Sequence, residues 1–448
     1  MATKKDLIEA QGFSRRRLLT AFTSGAPGGK ELEPAKPLRA VAAGIALTAI
    51  VVIGGLFYGF IRPGLPAGWE NNALILVKDT GARYISVEGI LYPVINTASA
   101  RLLMPGDKFQ VVSTDRQSLE GIRIGPAVGI PGAPDNLPAP DKLIGDGWGA
   151  CAIDDSQTAM TLAGETVVTA ADGGAVVSRD DKTYVVIGSH RYEVDADQQS
   201  SVLRAVGLDS AVTVPVDGRW LNLFDSGEPL RPLEVARAGE PVSGTTIAVG
   251  VVVHTAGTPE DERYLMTERG ELARLSPLAY QLYLLGTGAE LGGALDVSPS
   301  EIRTIPTAAT DAGGADWPAD AVTEIAQSSQ PCAVLQHDDK GNARTTLGTI
   351  VGGTVLSDEN AGVSVALDGG ALVRAGRDGG TGIGMVYLVD GTGTAFPIPD
   401  GLQPITQLGY TLDDVVAVPE AWVQFMPTGP SLTQKAAASS VIDLGDGN

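Results

Sequence analysis

Two cysteines, Cys151 and Cys332, and three histidines, His190, His254 and His337, are the residues with most chemistry to offer in this 448-residue chain. None of the histidines has a second histidine or a cysteine at ligand spacing, so zinc is not expected. His254 ends a valine run and reads as a strand-end residue. His337-Asp338-Asp339 could attract a cation, but a solvated turn is the better reading. A phosphate-cradling loop needs spaced glycines, a lysine and a hydroxyl for Mg2+. Gly25-Ala-Pro-Gly-Gly-Lys30-Glu31 comes nearest and lacks both the spacing and the hydroxyl. Gly379-Gly-Thr-Gly-Ile-Gly384 feeds the strand-like Met385–Val389 instead of a helix, which reads as a tight turn. There is no Gly-x-Ser-x-Gly elbow for a serine nucleophile. Asp and Glu total 53, yet no pair stands out for glycoside chemistry. No catalytic, cofactor-binding or metal-binding residue is assigned.

The cysteines acquire meaning from the element that sets their compartment. Ala40 to Ile61 contains no charged residue. Its 22 residues would reach about 33 Å as a helix, enough for a hydrocarbon core of about 30 Å. Residues 1–39 carry eight Lys/Arg and four Asp/Glu, while Arg62 is the one base close by on the far flank. Basic flanks stay cytoplasmic, so the chain is expected to cross once with its N-terminus inside and its bulk exported. A cleaved signal would have a shorter apolar run and a small-residue site. The twin-arginine-like Ser14-Arg15-Arg16-Arg17-Leu18-Leu19 stands too far from the apolar run to be an export signal. Gly55-Leu-Phe-Tyr-Gly59 offers small residues for packing against another membrane helix. Residues 6–22 read as a short amphipathic helix on the inner face or against a partner.

The whole chain carries a net charge of −21, and the basic tail makes the remainder more acidic still. Such an exterior argues against nucleic acid and against anionic lipid. In an oxidising exterior an even cysteine count suggests a bridge, and Cys151–Cys332 is favoured over two buried thiols.

Strand signals dominate beyond the span. Asp-Gly recurs at 146, 172, 217, 368, 378, 390, 400 and 446, mostly between Val/Ile/Leu/Tyr runs, as tight hairpins require. Internal similarity organises the region. Val206-Gly207, Pro215, Trp220 and Gly227-Glu-Pro-Leu230 parallel Leu408-Gly409, Pro419, Trp422 and Gly429-Pro-Ser-Leu432. Arg263–Met266 with Leu285-Gly286 suggests a third copy, and Leu74–Gly81 with Pro93-Val94 a fourth. The expected fold is α+β: one transmembrane helix, then a β-rich exported region of four hairpin-plus-helix repeats around a central β core. The expected boundaries are a basic tail at 1–39, the span at 40–61, and repeats at 62–105, 183–237, 260–306 and 382–432. Central segments fall at 106–182, 238–259 and 307–381, so the first and third hold the two cysteines.

Several segments carry a family likeness. They are Gln11-Gly-Phe13-Ser-Arg-Arg16-Arg-Leu18 before the span, Val128-Gly-Ile-Pro-Gly-Ala-Pro-Asp-Asn-Leu-Pro138, Trp148-Gly-Ala-Cys151, and Pro331-Cys332. With them the chain resembles the EccB membrane component of the actinobacterial type VII (ESX) secretion system. The resemblance implies an elongated array of four repeat domains around a β-rich core that holds a disulfide. It implies an inner-membrane complex with an FtsK/SpoIIIE-type ATPase, a polytopic channel-like protein and a further membrane subunit. It also implies six-fold self-association. Nucleotide hydrolysis has been attributed to the family, so ATP is the one cofactor the resemblance raises, although no P-loop is found here. The chain departs from the family in its short Ala436–Ser440 end and acidic tip, and 433–448 reads as a disordered tail. The leading reading is a non-enzymatic scaffold subunit. The alternatives are an exported, tethered enzyme, either a nucleotide hydrolase or a cell-wall-acting protein, and a lone adhesin or sensor.

Overall fold

A computed structural model describes residues 4–24, 38–60, 65–104, 109–153, 156–163, 167–325, 330–353, 355–377, 380 and 382–440. The chain forms two units, Met1–Gly64 and Leu65–Asn448.

The first unit contains helices α1 (Lys4–Ser24) and α2 (Leu38–Phe60). Leu7, Ile8, Leu18, Leu19 and Phe22 of α1 are all exposed. The 23 residues of α2 correspond to about 34 Å of helix. The side chains of residue 39 and of 56–60 lie outside the described set. Among the described residues no helix is long and apolar enough to cross a membrane.

The second unit runs through four small sheets and one central sheet. The first module is β1 (Ala73–Val77), β2 (Arg83–Val87), β3 (Ile90–Pro93), α3 (Thr97–Leu103) and β4 (Gln110–Thr114). Then come β5 (Gly149–Ile153), β6 (Gln157–Leu162) and β7 (Val168–Ala170). The second module is β8 (Gly174–Arg179), β9 (Lys182–Ile187), β10 (His190–Val194), α4 (Gln199–Val206), β11 (Thr213–Pro215), α5 (Gly218–Leu221) and β12 (Asp225–Ser226). The third is β13 (Val252–Thr255), β14 (Arg263–Met266), β15 (Leu272–Leu275), α6 (Pro277–Leu285), α7 (Gly288–Leu291), β16 (Leu295–Val297) and α8 (Pro299–Ile302). Strands β17 (Cys332–His337), β18 (Ala343–Ile350) and β19 (Gly362–Val365) follow. The fourth module is β20 (Ala371–Gly376), β21 (Met385–Val389), β22 (Ala395–Ile398), α9 (Leu402–Leu408), β23 (Val416–Pro419) and α10 (Glu420–Val423). Helix α11 (Gln434–Ala437) ends the described chain.

Each module repeats one topology. Three strands form an antiparallel meander, a helix crosses back, and a later strand pairs parallel with the first. Parallel pairing requires such a crossover. A downstream segment then bridges the third strand in parallel: Leu91 with Ile124, Val194 with Leu230, Leu272 with Thr307, and Ala395 with Thr428. These segments cover an edge that would otherwise invite pairing. They are where Gly227–Leu230 and Gly429–Leu432 fall.

The central sheet has the order β19-β6-β5-β17-β18-β7. It draws on 149–170 and 332–365 but takes no strand from 238–259. Strand β13 within that segment belongs to the third module instead. Likewise β8 and β20 start their modules before residues 183 and 382, and β4 completes the first module beyond 105. The expected boundaries therefore cut through sheets. The opening strands are short, buried apolar runs whose parallel partner arrives much later, so local pattern assigns them to the core.

Two core relationships tie the unit together. The first module packs on the fourth, with Ala98 and Leu102 of α3 in one cluster with Ile405 and Leu408 of α9. The second packs on the third, with Val202, Leu203 and Val206 of α4 against Leu278 and Leu282 of α6. The segment read as a disordered tail does not remain loose at its start. Ala437 is fully buried and Ser440 bridges to Val128, while 441–448 lies outside the described residues.

Candidate functional site

Period-2 alternation sorts β5 into two faces. Ala150 and Ala152 meet Trp220, Trp422, Ala333 and Leu335 on one side. Cys151 faces the other side with Val168, Cys332 and Val334. Cys151 and Cys332 are directly opposite in the β5–β17 ladder and form a disulfide. Their Cα atoms are 3.9 Å apart, although 181 residues separate them in sequence. The bridge thus joins two adjacent central strands that the intervening second and third modules hold apart along the chain.

Three tryptophans anchor the opposite face, and all are fully buried. Trp148 Nε1 donates to Ile144 O at 2.8 Å, Trp220 Nε1 to Ala150 O at 2.8 Å, and Trp422 Nε1 to Thr345 Oγ1 at 2.9 Å. A buried indole needs such a partner for its N–H. Trp148 meets Trp422 edge-on, with centroids 6.2 Å apart and planes at 75°. The sequence marks Trp220 and Trp422 as equivalent positions in repeats. Their docking on the central sheet is visible only in the structure.

The histidines are dispersed among three sheets. His337 closes β17 against the fourth module, with Nε2 2.7 Å from Ala417 O and Nδ1 3.3 Å from Asp146. His254 Nδ1 lies 2.9 Å from Asp296 Oδ1, and Nε2 lies 3.2 and 3.1 Å from Thr258 O and Pro259 O. The Asp296 hydrogen bond holds this imidazole above its ordinary pKa. His190 stacks on Tyr192 at 5.9 Å. Among the described residues no group of three His, Cys, Asp or Glu could hold a metal. Gly25–Glu31 lies outside the described residues, and Gly384 runs directly into β21.

The Val128–Pro138 segment is a clamp on the first module. Asp135 pairs with Arg83 and accepts hydrogen bonds from Thr97 N at 3.0 Å and Thr97 Oγ1 at 3.1 Å. The Arg83 hydrogen bond holds its carboxyl below the usual range. Asn96 Nδ2 donates to Ile130 O at 2.8 Å, and Ile130 N donates to Ser99 Oγ at 2.9 Å. Tyr410 Oη reaches Pro138 O at 2.7 Å from the fourth module, and burial raises its pKa. What reads in sequence as a Pro/Gly/Asp loop is therefore a joint between the two terminal modules.

Gly55 lies in α2 with open space where a Cβ would stand. Gly59 is in the same helix, but its surroundings fall outside the described residues.

The family described as "Type VII secretion system ESX-1, transport TM domain B" matches residues 1–442. The chain belongs to the EccB family. An EccB relative named ESX-2 secretion system ATPase EccB2, of Mycobacterium tuberculosis (strain H37Rv), is 26% identical and is aligned over 97% of this chain and 94% of its own length. ESX-1 secretion system ATPase EccB1 of Mycolicibacterium smegmatis is 24% identical over 89% of this chain and 87% of its own. Among solved structures, a chain in the intact ESX-5 inner membrane complex is similar with a TM-score of 0.66 and 22% identity, covering 98% of this chain and 95% of that one. The EccB3 dimer from the ESX-3 core complex gives 0.67 and 21%, covering 82% of this chain and 100% of that one. These likenesses show that the EccB fold extends through the second unit.

Proposed function

We propose that this EccB-family chain is a membrane-anchored structural subunit of a type VII secretion complex, with its second unit built as a scaffold on the exported side. The observation that carries the reading is α2. Val41, Ile45, Leu47, Ile50, Val51, Val52 and Ile53 are each more than half exposed. A helix whose described side chains are apolar all round belongs in lipid or against other helices, and the uncharged run continues in sequence to Ile61, past the described side chains. Its basic N-terminal flank puts that end in the cytoplasm, and the disulfide suits an exported second unit. The four modules are then four repeats of one unit, and Gly55 and Gly59 are the points where α2 packs on a neighbouring helix. The neighbours are other secretion subunits, including an FtsK/SpoIIIE-type ATPase, in a six-fold assembly at the inner membrane.

Extraction of the full chain in mild detergent, followed by native electrophoresis, is expected to give a large multi-subunit species. Gly55→Ile with Gly59→Ile should break it down. A monomer or lone dimer from the wild-type chain would refute the reading. Residues 65–448 are expected to leave ATP unhydrolysed, and turnover abolished by one point substitution would favour an exported enzyme instead.

A further inference from the structure

The two faces of the central sheet are covered very unequally. One carries the large cluster that includes Trp148, Trp220 and Trp422. The other carries only Cys151, Val168, Cys332 and Val334, with Leu356 among the few residues packed against them. The bridge is nonetheless closed to solvent, since Cys151 is 2% exposed and Cys332 0%. Part of that cover belongs to no sheet. Leu356 lies in the connection between β18 and β19, and its neighbour Val355 is 70% exposed.

One side chain fastens this segment. Gln330 Nε2 donates to Leu356 O at 2.9 Å, and Leu356 N donates to Gln330 Oε1 at 2.8 Å. The carboxamide stands in for the backbone of a neighbouring strand, offering a donor and an acceptor side by side. Among the described residues no backbone–backbone hydrogen bond is made by Val355 or Leu356. The fastening sits beside the bond it covers, with Gln330 O 3.5 Å from Cys332 Sγ. Beyond Leu356 the chain closes on itself. Ser357 N donates to Asn360 Oδ1 at 3.1 Å, and Asn360 N donates to Ser357 O at 2.8 Å. Gln157 Nε2 reaches Asp358 Oδ1 only at 3.4 Å, a weak tie. Lifting Leu356 with this turn therefore breaks the Gln330 pair, that weak tie and the leucine packing, and leaves every strand of the sheet paired. Such a local opening requires less free energy than global unfolding.

We propose that Gln330 and Leu356 form a latch over the Cys151–Cys332 bridge, and that an external dithiol reaches the bridge of the folded unit by opening it. One thiolate of the dithiol attacks a bridge sulfur, the S–S bond breaks, and the other cysteine leaves as a thiolate. The second thiol of the reagent then displaces the first cysteine. The dithiol ends as a cyclic disulfide, and its two protons end on the two cysteine sulfurs. Run in reverse with an oxidised reagent, the same opening lets the bond form after β5 and β17 have paired. The latch is independent of assembly and goes beyond the scaffold reading.

The test follows loss of the bridge in the full chain in detergent micelles under excess dithiothreitol. Freed thiols are alkylated and counted by mass spectrometry, at urea concentrations below the unfolding transition. Wild-type reduction is expected to depend only shallowly on urea, because opening the latch exposes far less surface than unfolding. Gln330→Met keeps the volume and removes both hydrogen bonds, so it should speed reduction ~10-fold with the slope still shallow. Trp422→Phe, which weakens the unit from the opposite face of the sheet, should lower the unfolding midpoint and leave the rate at low urea unchanged. A urea slope as steep as that of global unfolding would overturn the proposal. So would a wild-type rate in Gln330→Met, an equal acceleration by Trp422→Phe, or a chain that carries no bridge before the dithiol is added.

Discussion

Trp220 and Trp422 dock two different modules on one sheet through the same indole nitrogen. Trp220 Nε1 meets Ala150 O at 2.8 Å on β5, and Trp422 Nε1 meets Thr345 Oγ1 at 2.9 Å on β18. Both rings are fully buried in one cluster. Truncating either ring should cost about 3–5 kcal/mol, whereas Trp→Phe should cost about 1–3 kcal/mol for the partner left unpaired. Urea unfolding of residues 65–448 measures this. A loss below about 0.5 kcal/mol for Trp220→Ala, the size of an ordinary surface substitution, would show that the second module is held elsewhere.

The Cys151–Cys332 bridge closes a loop of 181 residues in sequence. In the chain-entropy model a loop of that size contributes about 5 kcal/mol. Strands β5 and β17 also pair through backbone register. Replacing both cysteines by alanine should therefore lower stability by up to about 5 kcal/mol while the native circular dichroism persists. Mass spectrometry without reductant should recover the joined peptide. Two alkylatable thiols in the purified second unit would contradict the bridge.

Gly207 and Gly409 cap α4 and α9 with φ of 90° and 101°. Alanine at either position adds about 1–2 kcal/mol of left-handed strain. Their neighbours differ. A Cβ at 207 would meet the backbone carbonyl of Val322, whereas one at 409 would meet the end of the Arg101 side chain. A guanidinium can move aside more easily than a backbone segment. Gly207→Ala should thus lower the melting temperature more than Gly409→Ala, and equal losses would contradict this account.

His254 has acceptors at both ring nitrogens, with Asp296 on one side and the Thr258 and Pro259 carbonyls on the other. Its folded pKa is raised, chiefly by the Asp296 hydrogen bond. The stabilisation from the charged ring is therefore complete below the unfolded value of about 6.5 and is lost as pH rises through the folded value. Titration of the ring protons by NMR should give a midpoint above 6.5, and Asp296→Asn should lower it. A midpoint at or below the free-histidine value would refute the arrangement.

Much of the architecture is legible where signals are local. Among the described Asp-Gly pairs, Asp390-Gly391 turns the β21–β22 hairpin, whereas those at 146, 172 and 368 precede strands and those at 217 and 400 lead into helices. Gly227–Leu230 and Gly429–Leu432 mark segments that prove to cap third strands. The cysteine pairing follows from compartment and an even count. What stays hidden is non-local. Val252–Thr255 and Ala371–Gly376 are short apolar runs, and only their parallel partners at 295–297 and 416–419 show which sheet owns them. Trp220 and Trp422 illustrate the same limit at the site: their spacing marks them as equivalent, but their hydrogen bonds to the central sheet appear only in the structure.

The burial of Ala437 in the cluster that holds Ala98 and Leu102, with Ser440 bridged to Val128, makes the first module's core depend on a segment far along the chain. Neither α3 nor the fourth module's α9 is fully covered without it. Removing 434–440 is therefore felt most by the module most distant from it in sequence, and the two ends of the second unit are stable only together.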